Sequence, residues 1–125
     1  MNYVSDPEMI EDWSLDKHTG VSAKLLGDGK KMTVMYTSWA AGAKAPVHSH
    51  PHEQMGLCLR GEVILTINGI DYPVKAGEFY NIPENEPHSQ RNDQSDPAIL
   101  IDFFSPIRED LLRRRFEPEI VEPEA

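Results

Sequence analysis

Between residues 32 and 104 the chain repeats one pattern, in which short runs of β-branched, aromatic and other apolar residues alternate with turn residues. The pair Asn68-Gly69 stands between two such runs and is a strong signal for a two-residue β-hairpin. Residues 40–46 are rich in alanine, contain Gly42 and Pro46, and predict a break after the run that ends at Trp39. Many short strands at this spacing are typical of an antiparallel barrel or sandwich, so we predict an all-β fold.

The residues after the last apolar run predict a short C-terminal helix. Ser105 can serve as the N-cap and Pro106 as the first helical residue, with acidic residues in the first turn and arginines in the last. We predict a helix over residues 106–116 and a frayed acidic tail over residues 117–125, for which a returning strand is the alternative. Residues 1–125 are thus expected to form a single domain, long enough to bury a core.

Charge and cysteine content exclude several classes of protein. The chain has 12 Lys+Arg against 21 Asp+Glu, a net charge of −9, which argues against a nucleic-acid partner because phosphate binding needs concentrated positive charge. Its single cysteine cannot form an intrachain disulfide. No apolar stretch reaches the roughly 18 residues of a membrane helix, and the first residues lack the features of a signal peptide. We expect a cytoplasmic protein with no membrane partner.

Four of the five histidines lie in two short segments. In the first segment His48, His50 and Gln54 have the same parity, so they would share one face of a strand. The second segment starts a predicted strand with His88, which an antiparallel pairing could bring opposite the first pair. Three imidazoles and one amide oxygen suit a borderline divalent metal, so we predict one Fe, Mn, Ni, Cu, Co or Zn ion per chain.

Three further residues are assigned outside this set of ligands. Pro51 is expected to bulge the chain before His52, so His52 is expected at the rim of the site. His18 lies in a polar segment and is expected to be exposed to solvent. Cys58 shares the parity of Gln54 and is either a small interior filler, which we favour, or a soft ligand.

The two histidine segments resemble the two motifs of the cupin superfamily. Residues 42–61 are similar to G-x5-H-x-H-x3-4-E-x6-G, and residues 77–92 to G-x5-P-x-G-x2-H-x3-N. Gln54 stands where the first motif usually has Glu, and Asn85 where the second usually has Gly. The resemblance implies a double-stranded β-helix, or jelly-roll barrel, over about residues 32–104. The neutral Gln54 makes the site more positive than a Glu would, which fits a metal acting as a Lewis acid on an anionic substrate.

Two longer segments resemble the pectin-degradation cupin family KdgF. They are HSHPHEQ at residues 48–54 and DFFSPIRED at residues 102–110. That family opens 4,5-unsaturated monouronates from pectin or alginate breakdown to linear keto sugars, so the resemblance implies a small anionic sugar as substrate. It also places Asp102, Phe104 and Arg108 at the family's functional positions. Small cupins commonly pair, so a homodimer is expected.

The residues themselves leave several roles open. Asp102 interrupts an apolar strand and either faces the cavity as a general acid/base or faces solvent. Phe104 shares its face and either shapes the pocket or belongs to the ordinary core. Arg108 either clamps a substrate carboxylate or pairs with a Glu on an exposed helix. Arg60 either lines the mouth of the site or lies outside the barrel, and Gln90 can offer an amide to the substrate.

The amino-acid sequence is also compatible with two other functions. One is a different metal-dependent cupin enzyme, such as a dioxygenase, an isomerase or a lyase. The other is a cupin without enzymatic activity that senses or stores a small ligand.

Overall fold

The computed structural model describes residues 3–111, which are organised almost entirely as β-strands. A 3-10 helix spans Pro7–Met9 and residues 109–111 are helical. Nine strands lie between them: β1 (Trp13–Ser14), β2 (Thr19–Asp28), β3 (Thr33–His48), β4 (Glu53–Arg60), β5 (Glu62–Ile67), β6 (Ile70–Lys75), β7 (Phe79–Ile82), β8 (His88–Arg91) and β9 (Ala98–Ser105).

The described strands form one antiparallel sheet in the order β6-β5-β8-β3-β9-β4-β7, with β2 on β3 and β1 on β2. The sheet curls into a nearly closed barrel, which confirms the predicted all-β jelly-roll architecture. The hairpin between β5 and β6 is also confirmed: Asn68 and Gly69 have φ of 54° and 75°, as a type I′ turn requires. None of the described helices has the length and apolar character needed to cross a membrane.

The long strand β3 runs without interruption through residues 40–46, so the predicted break there is wrong. Its first half pairs with β9, from Thr33 opposite Phe104 to Trp39 opposite Ala98. Its second half pairs with β8. Gly42, at φ 78°, lies between the two halves. The small residues therefore mark a change of pairing partner and not an exit from the sheet.

Side chains along β9 alternate between the interior and the exterior of the barrel. Leu100, Asp102 and Phe104 are buried, whereas the residues between them are half-exposed. Leu100 packs in an apolar cluster with the fully buried Cys58, whose predicted role as an interior filler is confirmed. Each fully buried Leu-sized side chain contributes about 1.5–3 kcal/mol of hydrophobic stabilisation. The same interior also holds nine buried polar or charged side chains: Thr33, Thr37, His50, Gln54, His88, Gln90, Asn92, Asp102 and Arg108.

The predicted start of the C-terminal helix is wrong. Ser105 is the last residue of β9, pairs with Glu53, and donates its hydroxyl to the carbonyl of Lys31 at 2.9 Å. The backbone of Ser105 pairs within the sheet and its hydroxyl bonds to Lys31, so Ser105 does not cap a helix. Helical structure starts at Glu109. The remainder of the predicted helix and the predicted tail, residues 112–125, lie outside the described residues.

Candidate metal centre

Three histidines converge at one end of the barrel interior. His48 ends β3, His88 begins β8, and the two are directly opposed across the sheet. His50 lies in the loop after β3, so it does not share a regular strand with His48, contrary to the parity argument. One ring nitrogen from each histidine lies within 4.8 Å of the others, and His50 and His88 are buried. This triad could hold a metal ion.

A backbone carbonyl lies beside Nδ1 of each of these rings. Every Nδ1 lies within hydrogen-bond distance of the carbonyl of a residue two positions away: Pro46 at 2.7 Å, His52 at 3.0 Å and Glu86 at 2.8 Å. A carbonyl only accepts, so in His48 and His88 Nδ1 carries the proton and Nε2 presents its lone pair. Nε2 of His88 is buried and has no hydrogen-bond partner among residues 3–111. These rings are therefore prepared to bind through Nε2.

Burial keeps the imidazoles uncharged. It lowers the pKa of His50 and of His88 to about 4, and it lowers the pKa of His48 as well. The positive charge of Arg108 lowers all three further. Neutral imidazole is the form that binds metals, so the site is in its ligand form at neutral pH.

The predicted fourth ligand, Gln54, meets His50 in an arrangement that a cation would explain. Its amide nitrogen donates to Oδ1 of Asp102 at 3.0 Å, so its oxygen Oε1 is the atom that lies 3.1 Å from Nε2 of His50. In neutral His50 both ring nitrogens thus face an acceptor oxygen, the carbonyl of His52 and Oε1 of Gln54, and the single ring proton can serve only one of them. Two ligands about 2.0–2.1 Å from one ion at right angles lie about 3 Å apart. The donor set thus fits a borderline divalent metal.

Asp102 lies inside the barrel, so the solvent-facing alternative is wrong. It is 4% exposed, and three donors surround it: Gln54 Nε2, the hydroxyl of Tyr80, and Thr37 Oγ1 at 3.3 Å. Burial raises the pKa of Asp102, and these three hydrogen bonds oppose that rise. Asp102 therefore accepts a hydrogen bond from the same amide that faces the triad.

Tyr80, which the sequence analysis missed, occupies the space opposite Gly56. The two residues are partners across β4 and β7, and a Cβ at position 56 would collide with the Tyr80 ring. Burial strongly raises the pKa of Tyr80, and the neighbouring Asp102 adds to the rise. The signal for this pair is a small residue facing a large one, which is visible only when the strand register is known.

Phe104 and Arg108 extend the interior site from β9. The Phe104 ring packs edge-on to His50, with centroids 5.8 Å apart, and the Arg108 guanidinium lies 4.7 Å from the Phe104 centroid. Arg108 is only 7% exposed and forms a bidentate pair with Asp110, at 2.9 Å from Nε and 2.7 Å from Nη2. The alternative of an exposed arginine paired with a Glu is therefore wrong.

Gln90 and Arg60, the two other candidate substrate-binding residues, lie in different parts of the barrel. Gln90 is 5% exposed and its side chain interacts with the buried Tyr80 hydroxyl, so it belongs to the interior. Arg60 is exposed at the end of β4 opposite to Gln54, about 20 Å along the strand at ~3.3 Å per residue. A register shift lies between Cys58 and Arg60, so Arg60 does not continue the side-chain alternation of Gln54 and Cys58. This position does not support a role for Arg60 in the site.

His18 lies beside the triad, so its expected exposure is wrong. Its half-buried ring is 5.7 Å from the His48 ring and 6.3 Å from the Trp39 ring, measured between centroids. Burial lowers its pKa to about 4. No spacing in the sequence points to it, because the approach depends on the pairing of β2 with β3. His52 has its ring 5.4 Å from that of His50, in keeping with a place at the rim.

Residues 35–104 match the sequence model of the cupin domain, so the chain belongs to the cupin family. Within that family it resembles the pectin degradation protein KdgF of Dickeya dadantii (strain 3937), at 29% identity over 94 residues, 74% of this chain and 84% of that protein. It also resembles the HTH-type transcriptional regulator PuuR of Escherichia coli (strain K12), at 33% identity over 91 residues, 70% of this chain and 49% of the regulator. The chain thus spans about half the length of that relative.

Solved structures confirm the fold. An RmlC-like cupin from Shewanella frigidimarina NCIMB 400 has a TM-score of 0.79 at 27% identity, over 89% of this chain and 96% of the other. KdgF from Halomonas sp. has a TM-score of 0.79 at 20% identity, over 89% of this chain and 99% of the other. The relatives include a regulator as well as a degradation protein, so family membership alone does not fix the activity.

Proposed function

We propose that this cupin is a metal-dependent enzyme that opens 4,5-unsaturated monouronates, from pectin or alginate breakdown, to linear keto sugars. One observation carries the proposal: a buried carboxylate, a buried guanidinium and a metal-type donor set occupy the same barrel interior, as Asp102, Arg108 and the triad. The similarity to KdgF at the level of sequence supports it.

The proposed ligands are His48, His50, Gln54 and His88. Fe, Mn, Ni, Cu, Co and Zn all suit three imidazoles and an amide oxygen, and the native ion is left open. Such a divalent ion, when bound, would supply Lewis-acid stabilisation of the enolate-like charge that develops as the ring opens.

The net reaction moves one proton. The C1 hydroxyl loses its proton as the bond between C1 and the ring oxygen breaks, and C4 gains a proton as the resulting enol becomes a ketone. We assign this transfer to Asp102, whose raised pKa suits a group that both accepts and gives a proton. The adjoining hydroxyl of Tyr80 can exchange a proton with it.

Binding of the substrate carboxylate is assigned to Arg108, with the buried amide of Gln90 as a second donor. Asp110 already occupies two donors of the Arg108 fork, so a substrate carboxylate would share this arginine with it. The net charge of −9 does not oppose binding of an anionic sugar. Salt screens exposed charges beyond about 8 Å, so the charges close to the site determine the electrostatic interaction with the substrate.

The direct test is incubation of the purified protein with unsaturated galacturonate, while loss of the ultraviolet absorbance of the conjugated double bond is followed. Metal analysis of the same sample gives the stoichiometry. We expect consumption that chelator treatment abolishes and metal addition restores. Absence of consumption over a panel of unsaturated uronates, with metal bound, would refute the proposal.

A non-enzymatic ligand-binding cupin is the second candidate. It is supported by the regulator PuuR and by the auxin-binding protein T85 of Nicotiana tabacum, which is 29% identical over 79 residues, 61% of this chain and 42% of that protein. Tight uronate binding without turnover would favour it. Oxygen consumption with Fe(II) would instead favour a dioxygenase. The homodimer and the cytoplasmic location stay predictions.

A further inference from the structure

The amide of Gln54 lies between two groups that both demand a specific orientation. On one side Asp102 is surrounded by donors and acts as an acceptor toward the amide nitrogen. On the other side the amide oxygen lies 3.1 Å from Nε2 of His50, whose Nδ1 already faces the carbonyl of His52. An amide can rotate by half a turn and exchange its oxygen and nitrogen, and only one of the two orientations directs oxygen to the metal position.

We propose that Tyr80, acting through Asp102, is a positioning residue that holds the oxygen of Gln54 toward the metal. Oδ1 of Asp102 accepts from both Tyr80 and Gln54, so the phenol fixes the carboxylate oxygen that in turn fixes the amide. Thr37 fixes the other oxygen, Oδ2, at 3.3 Å, and is itself held by the indole of Trp39 at 2.9 Å. The inference concerns the metal site and does not depend on which reaction the protein catalyses.

The packing around Tyr80 supports a dedicated position for its hydroxyl. Tyr80 is 5% exposed, and the absence of a side chain at Gly56 leaves room for its ring. A buried hydroxyl whose partner is a carboxylate one hydrogen bond from a metal-type ligand is the arrangement by which outer residues orient ligands. Removal of such partners typically weakens metal binding about 10- to 100-fold.

The test is a double-mutant cycle on metal affinity. Tyr80→Phe is made in the wild-type and in the Gln54→Ala background, and the Kd for Co²⁺ or Zn²⁺ is measured by competition with a chromophoric chelator. We expect Tyr80→Phe to weaken binding about tenfold in wild type, and to have no effect where the amide is absent. Tyr80→Phe should change the Co²⁺ absorption spectrum of the protein that retains Gln54. It should leave the spectrum of the Gln54→Ala protein unchanged. Tyr72→Phe, at an exposed tyrosine of β6, is the matched control.

Two results would overturn the proposal. Unchanged Kd and Co²⁺ spectrum in Tyr80→Phe would show that the amide orients without the phenol. Equal weakening in both backgrounds would show that Tyr80 acts by another route. If Tyr80→Phe fails to fold, Thr37→Val removes the donor to Oδ2 with little change in shape, and the same cycle is run with it. None of these readouts depends on uronate turnover, so the proposed function can fail while this inference stands.

Discussion

The amide oxygen of Gln54 lies 3.1 Å from Nε2 of His50, while Nδ1 of the same ring faces the carbonyl of His52, so the one proton of the neutral ring leaves one of these two contacts without a donor. A cation bound to Nε2 and the amide oxygen would resolve this conflict, and Nε2 of His88 is also buried with no hydrogen-bond partner within the described part of the chain. The charge distribution of the interior is thus matched to a positive ion at this position.

His88→Ala should weaken divalent metal binding at least about 100-fold, since it removes one of three converging imidazoles. Metal present at 100 times its Kd stabilises the folded protein by about 2.7 kcal/mol, so the variant should also lose the rise in Tm on metal addition. Calorimetric titration and thermal unfolding measure both. His52→Ala is the control, because its backbone carbonyl still accepts from His50. Equal losses in the two variants would contradict the assigned ligand set.

Asp102→Asn should reduce uronate turnover by a factor of about 10² to 10⁴, the usual contribution of a general acid/base. Asparagine keeps an oxygen that can accept from Gln54, so metal stoichiometry should persist. Asp102→Ala should in addition lower the free energy of unfolding, because three buried donors lose their partner, at about 1–3 kcal/mol for each unsatisfied group. Steady-state kinetics on the metal-loaded variants measure the effect. Near-wild-type turnover by Asp102→Asn would remove Asp102 from the mechanism.

Arg108→Lys should raise KM for the unsaturated uronate about tenfold, because a lysine cannot form the bidentate contacts of a guanidinium. Arg91→Lys is a matched control: Arg91 also pairs with an aspartate two residues later, Asp93, but at an exposed position. It should leave KM unchanged. A similar KM in both variants would argue against a role for Arg108 in substrate binding.

The metal-free protein should lose stability as the pH falls from 7.5 to 5.5. His18, His50 and His88 have a pKa of about 4 in the folded protein, against 6.5 in the unfolded chain. Above pH 6.5 both states are neutral, whereas below it the unfolded chain binds protons that the native state does not, so the free energy of unfolding decreases toward pH 4. Urea unfolding at both pH values measures this, and His18→Gln should reduce the difference. An equal midpoint at pH 7.5 and 5.5 would contradict the expectation.

Gly56→Ala should destabilise the protein by about 1–3 kcal/mol or more, because the added methyl collides with the Tyr80 ring. Gly27→Ala is the control, since its Cβ would make only ordinary contact with Val34 at 3.5 Å and its backbone is not in the left-handed region. Chemical denaturation of the two variants compares them. Similar stability would mean that Tyr80 can move aside without cost.

Much of the fold follows from local sequence signals. The alternation of residues in β9 correctly placed Asp102 and Phe104 on one face, although it left open whether that face points inward, and the Asn68-Gly69 pair identified a hairpin. The three histidines were recognised because their spacing is itself the signal. In each case the pattern lies within one strand or one turn, where local physics decides the conformation.

The remaining features depend on which strands pair, and the sequence does not specify that locally. The approach of His18 to His48 requires β2 to lie on β3, and the space for Tyr80 requires β7 to pair with β4 in one register. Residues 40–46 were read as a break because an alanine-rich stretch with one glycine and one proline has the same local composition whether the strand ends or changes partner. The two positions left open for Arg60 could not be distinguished, because a bulge reverses parity without an obvious residue signature.

The partner change within β3 also bears on how the protein folds. Thr33 pairs with Phe104 and His48 with His88, so both halves of this one strand depend on residues far along the chain. Contacts of such large sequence separation form late and slowly, because a long loop must close before they give any stabilisation. We therefore expect the three imidazoles to meet only when the barrel is nearly assembled. A divalent metal would then stabilise the finished barrel and would have no preformed site in the nascent chain.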